Sequence, residues 1–150
     1  MDIHERTSPD QHHQHAELTG RVIASAYRVH RQLGFGFLES VYRRALAAEL
    51  RCLGMDVMTE VPYDVVYRGV TVGMYRADLV PEGKVIVEVK TGAKPDPTAK
   101  AQLLNYLKVS GLQVGLILHF GPELQIKRLV FTPGQRPEHG ECSAVVVRVP

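Results

Sequence analysis

The chain has 150 residues, 45% hydrophobic and 23% charged, with a net charge of +2 and two cysteines. That length and balance predict one globular domain with its own core and exclude wholesale disorder. No apolar run approaches the roughly 20 residues that cross a bilayer, and residues 1–16 lack the apolar stretch of a signal peptide. Cys52 falls in a helical pattern and Cys142 in the tail, which argues against a disulfide framework and for a cytoplasmic location.

The net charge is too small to imply a nucleic-acid partner, but its distribution is uneven. Residues 21–55 hold six arginines against Glu39 and Glu49, and residues 84–108 hold five lysines against Glu88 and Asp96. Residues 56–82 are acidic. The two basic segments admit a polyanion partner, although solvated helix faces explain them about as well.

Residues 1–16 carry four of the seven histidines among polar neighbours and are expected to form a flexible lead-in. Leu18, Val22, Ala26, Val29 and Leu33 recur every three or four residues, which predicts a helix over 17–33 that stops at Gly34. After the loop Gly34-Phe35-Gly36-Phe37, a second helix is expected over 38–53, with Leu38, Val41, Tyr42, Ala45, Leu46, Leu50 and Leu53 on its apolar face. The period then shortens. Residues 57–67 alternate as a half-buried strand, and Pro62 within it points to a sheet edge or a bulge. Strands over 70–80 and 85–90 follow, joined by the turn Pro81-Glu82-Gly83-Lys84. A loop containing Pro95 and Pro97 leads to a helix over 98–110, ended by Gly111. The continuous apolar run 114–120 predicts a strand covered on both faces, and a last strand is expected over 124–131. Residues 132–150 form an extension in which 143–149 suit an edge strand. The order ααβββαββ implies a single α/β domain over 17–131, a mixed sheet flanked by helices.

Glu88 and Lys90 share one face of the third strand, about 7 Å apart, and burying such charges is costly unless they are paired or bind an ion. The 81–84 turn can bring Asp78 beside Glu88. Two carboxylates and a strand carbonyl, such as that of Val89, are hard oxygen ligands suited to Mg²⁺ or Mn²⁺. Lys90 beside them could orient a water and stabilise charge on a phosphate. A cross-strand salt bridge from Lys90 to Asp78 or Glu88 is the simpler explanation of those residues alone. Gln102 and Tyr106, four residues apart, share a face of the next helix and can look onto the same site. Glu39, in the first turn of its helix, is otherwise explained by the helix dipole. His30 fits a surface or hydrogen-bonded histidine, and Tyr42 a core residue whose hydroxyl reaches toward the site.

Gly36-Phe37-Leu38-Glu39-Ser40-Val41-Tyr42 resembles the motif of the GxxExxY proteins, a branch of the PD-(D/E)XK nuclease superfamily. Tyr75-Arg76-Ala77-Asp78 and Val87-Glu88-Val89-Lys90 follow in the matching order, with Ala77 standing where the superfamily's name has proline. Gln102-Leu103-Leu104-Asn105-Tyr106 is similar to the Q-x-x-x-Y element of exonuclease-type members. The resemblance implies a restriction-endonuclease-like core that hydrolyses DNA with Mg²⁺ or Mn²⁺. By position it makes Asp78 and Glu88 metal ligands, Lys90 the catalytic lysine and Glu39 a further ligand or water-positioning group, with Gln102 and Tyr106 completing the site. The leading expectation is therefore a metal-dependent deoxyribonuclease, with RNA open as a substrate. A catalytically silent nucleic-acid-binding or regulatory module with the same fold is the competing expectation. A homo-oligomer or a larger protein complex is compatible with either, and a membrane is not.

Overall fold

The computed structural model describes residues 15–132. The expected N-terminal lead-in and the C-terminal extension with its edge strand lie outside the described residues, apart from His15, Ala16 and Thr132. Helix α1 (Ala16–Leu33) and helix α2 (Glu39–Cys52) are followed by strands β1 (Val57–Tyr67), β2 (Val70–Pro81) and β3 (Val85–Thr91). Helix α3 (Ala99–Ser110) then crosses over to β4 (Val114–Phe120) and β5 (Leu124–Val130). The element order is the one the hydrophobic periods predict, with ends displaced by a residue or two.

The five strands lie in the order β1-β2-β3-β4-β5. Neighbours are antiparallel except β3 and β4, which run parallel because α3 carries the chain back between them. The sheet is mixed and both faces are covered. Val85, Val87 and Val89 of β3 and Leu116, Leu118 and Phe120 of β4 pack under α1 and α2. Ile86, Ile117 and Ala77 pack on the other face against Leu103 and Leu107 of α3. This two-sided cover explains why every residue of β4 is buried. Gly115 on β4 admits α3 so closely that an added Cβ would lie 2.8 Å from the Leu103 side chain.

Pro62 sits on an edge strand, where a missing N–H is tolerated. The β1–β2 register slips between Val65 and Val66. It also passes over Glu60, which lies opposite Asp78 between the pairs Thr59–Leu79 and Val61–Ala77. Glu60 has a φ of 51°, a left-handed conformation that is strained for a residue with a Cβ.

On α2 the buried face is Tyr42, Leu46, Ala47 and Leu50. Leu38 and Leu53, expected on that face, are exposed. Both flank the helix, and Leu38 has extended backbone, so neither follows the helical face. The connection from α1 to α2 depends on Gly34 and Gly36, at φ of 72° and 115°. Tyr42 pins that loop: its hydroxyl donates to the Gly34 carbonyl and accepts from the Phe37 N–H at 3.3 Å. Its ring stacks on Phe120 of β4, with centroids 4.6 Å apart. The Tyr42 hydroxyl thus ties the approach to α2 to the sheet. His30 is also tied down, its Nε2 lying 2.8 Å from the Gly121 carbonyl.

Tyr42→Phe keeps the ring and removes both hydrogen bonds. It is expected to lower unfolding free energy by about 1–3 kcal/mol in urea denaturation, the cost of leaving such groups unpaired.

Candidate nuclease site

Beyond the pair Leu79–Val87, β2 and β3 stop pairing as a regular ladder. Side chains take over the backbone's role there. The Val89 N–H donates to Asp78 Oδ2 at 2.8 Å, and the Asp78 N–H points to Glu88 Oε1 at 3.4 Å. Each carboxyl group thus stands in for a main-chain acceptor of the opposite strand. The hairpin brings Asp78 and Glu88 together, as the 81–84 turn suggests.

Glu88 is 5% exposed. Burial pushes its carboxyl up to about 8, Asp78 adds to the rise, and Lys90 opposes it. Without a cation, Glu88 relieves the repulsion by holding a proton. Glu39, at the start of α2, is raised first by burial and then by Asp78, while Lys90 and Arg43 pull it down. It therefore faces the same cluster from the helical side.

Lys90 does not form the salt bridge that the pattern alone suggests. Its ammonium donates to Gln102 Oε1 at 3.1 Å, and Asp78 is paired instead with Arg43. The Lys90–Gln102 hydrogen bond links β3 to α3, and Tyr106 lies one turn further along that helix. Burial raises the Tyr106 hydroxyl, and Glu88 and Asp78 raise it further. Tyr106 is held rigidly, its ring stacked on Tyr75 at 3.7 Å and 3°. Tyr75 donates to the Tyr106 carbonyl at 2.6 Å and stacks on Tyr63 in turn.

The structure therefore brings Glu39, Asp78, Glu88, Lys90, Gln102 and Tyr106 to one place where the strands part. It adds residues that the sequence reading does not single out. Arg43 lies one turn after Glu39, an i,i+4 spacing that was the available signal, and it pairs with both Asp78 and Glu60. Glu60 has no local signal, because its place depends on the β1–β2 register. His119 is the lone histidine of an apolar strand and lies beside Lys90 in the β3–β4 register. Its Nε2 is 2.9 Å from the Gly92 carbonyl, and its buried Nδ1 has no hydrogen-bond partner among the described residues. A cavity of about 20 Å³ between Lys90, His119, Gln125 and Lys127 has room for a water.

The donor set suits a small divalent ion. Among the described residues, no three His, Cys, Asp or Glu side chains converge as a ready-made ion cage. Magnesium-type ions need no such cage, since they keep several waters and take one or two carboxylates. The Asp78–Glu88 pair matches that requirement, and a cation there offsets the burial, and after it the Asp78 charge, that raise the Glu88 carboxyl.

A family model described as the PD-(D/E)XK nuclease superfamily matches residues 16–129. The chain belongs to that superfamily. The mixed sheet with α3 crossing between parallel β3 and β4 is its restriction-endonuclease-like core. No curated protein matches. A solved structure described as "Crystal structure of SSO0001" is similar at a TM-score of 0.49 and 21% identity, covering 81% of this chain. The match spans 61% of that chain's length.

Because the folded-state pKa of Glu88 lies above its unfolded value, the folded protein holds a proton that the unfolded chain releases between about pH 4.5 and 8. Stability without divalent ions falls as pH rises through that window. Glu88→Gln is expected to be the more stable protein at pH 8.5 in EDTA, by at least about 1.4 kcal/mol, one pKa unit. The difference should shrink towards pH 5, as read by thermal or urea denaturation.

Proposed function

We propose that this superfamily member is a Mg²⁺- or Mn²⁺-dependent deoxyribonuclease domain of the GxxExxY branch. The observation that carries the proposal is the pairing of the buried Glu88 carboxyl with the half-buried Asp78 carboxyl, with the Lys90 ammonium held by Gln102 on the same strand. Such a pair weakens the sheet unless a cation joins it, which marks a site for binding rather than for stability.

In this reading Asp78, Glu88 and the Val89 carbonyl hold the ion, and Glu39 positions a water at its edge. The bound ion supplies Lewis acidity at a phosphoryl oxygen and makes a water more acidic. The chain's own groups do the rest. Gln102 fixes one of the three N–H donors of Lys90, leaving two to stabilise negative charge as it builds on the phosphate. Tyr106, anchored by Tyr75, donates from its hydroxyl to a non-bridging oxygen. The water forms the new P–O bond, and the bond to the leaving oxygen breaks as that oxygen takes up a proton.

Charge supports a nucleic-acid substrate. Arg31, Arg44, Lys94 and Lys100 are exposed on the two basic segments and are free to meet phosphates. Among the described residues no helix is long and apolar enough to cross a membrane. Cys52 is a free, exposed thiol, which supports a reducing compartment such as the cytoplasm.

Asp78→Ala and Lys90→Ala are expected to reduce cleavage by about 10²-fold or more, the scale of losing one preorganised charge. Linear, circular and single-stranded DNA with Mn²⁺ are the substrates, RNA runs in parallel, and circular dichroism checks the fold. Full activity in either variant contradicts the mechanism. DNA binding without turnover in the wild type points to the silent binding module instead.

A further inference from the structure

Arg43 has no role in the proposed chemistry, although it lies against Asp78. Its Nη1 lies 3.6 Å from Asp78 Oδ1 and its Nη2 3.5 Å from Glu60 Oε1. Glu39, one turn earlier on α2, also feels its charge. Both oxygens of Asp78 have a neighbour: Oδ2 accepts from the Val89 N–H and Oδ1 faces the guanidinium. A cation that approaches Asp78 through Oδ1 meets Arg43 already there.

Two features favour exchange of this contact. Both separations exceed the length of a strong charge-assisted hydrogen bond, so the ion pairs are loose. Glu60, the outer partner, is held in left-handed backbone at the point where the β1–β2 register passes over it. Strain of that kind persists where the surroundings impose it, and here it sets a second carboxylate beside the guanidinium. Arg43 is therefore held from both sides. When it leaves Asp78 it keeps an anchor on Glu60.

Electrostatics favour the same direction. Glu60 and Asp78 lie against Arg43, and its charge reaches Glu39. A divalent ion beside Asp78 repels the guanidinium, and the planar fork of an arginine suits phosphate oxygens. We propose that Arg43 is a resident counter-ion which a divalent cation displaces from Asp78, and which then, still anchored by Glu60, grips a phosphate of the nucleic acid. The proposal rests on the nuclease reading. It adds that ion binding and substrate binding are coupled through one side chain.

The test compares wild type with Arg43→Gln in two titrations. In calorimetry with Mn²⁺ alone, Arg43→Gln should bind the ion at least about threefold more tightly, the scale of a half-buried ion pair removed from competition. In fluorescence anisotropy with a labelled DNA oligonucleotide, the variant should bind at least about fivefold more weakly with Ca²⁺ present, the scale of a lost charge-assisted phosphate contact. In EDTA it should differ from wild type by less than about twofold, because Arg43 is then tied to Asp78. Unchanged or weaker Mn²⁺ binding in Arg43→Gln overturns the proposal and leaves the ion site standing. An equal DNA penalty in Ca²⁺ and EDTA also overturns it, since a fixed surface charge behaves that way. Absence of Mn²⁺ binding in both proteins removes the ion site itself, and the proposal with it. Glu60→Gln provides a check should Arg43→Gln fold poorly. Arg43 then leans on Asp78 alone, so Mn²⁺ should bind more weakly than in wild type, and tighter binding contradicts the proposal.

Discussion

Where β2 and β3 separate, a carboxyl group on each strand takes the hydrogen-bond role that backbone has elsewhere in the sheet. Asp78 accepts from the Val89 N–H and Glu88 faces the Asp78 N–H. Buried main-chain donors need partners, so these two side chains are held where they are by the fold itself. The same arrangement forces two acids into contact at the edge of the core. Burial and the neighbouring Asp78 raise the Glu88 carboxyl, Arg43 pairs with Asp78, and Lys90 is held by Gln102 nearby.

The surrounding elements act as supports for that point. The α3 crossover places Gln102 and Tyr106 over the exit of β3, and the Tyr63–Tyr75–Tyr106 stack fixes the hydroxyl end of the helix. On the other face, the Tyr42 hydroxyl holds the glycine loop that leads into α2, so that Glu39 and Arg43 approach from a defined direction. The motif Gly36-x-x-Glu39-x-x-Tyr42 therefore has a physical reading. The glycine supplies the turn, the tyrosine locks it, and the glutamate is delivered to the site.

Most of the fold was legible because its signals are local. Periods of 3.6 and 2 separate α1, α2 and α3 from the strands, and the unbroken apolar run of β4 foretells cover on both faces. The pairing of Asp78 with Glu88 was legible because a short turn leaves few alternatives. Arg43, Glu60 and His119 were not. The register that sets Glu60 opposite Asp78 contains a bulge, and a bulge changes which side chains meet without leaving a mark on composition. His119 gains its polar neighbour Lys90 only through the parallel β3–β4 pairing, which no contiguous segment encodes. Lys90 illustrates the limit from another side. Alternation places it near two acids, but the choice of Gln102 as its hydrogen-bond partner depends on how α3 packs.

In the proposed function the Asp78–Glu88 pair holds a divalent cation. The decisive measurement is titration calorimetry of Mn²⁺ into the wild-type protein and into Asp78→Asn. Saturable binding of Mn²⁺ to the wild type, lost in Asp78→Asn with the fold unchanged, is expected. Equal binding to both proteins, or none to the wild type even with DNA present, would contradict it.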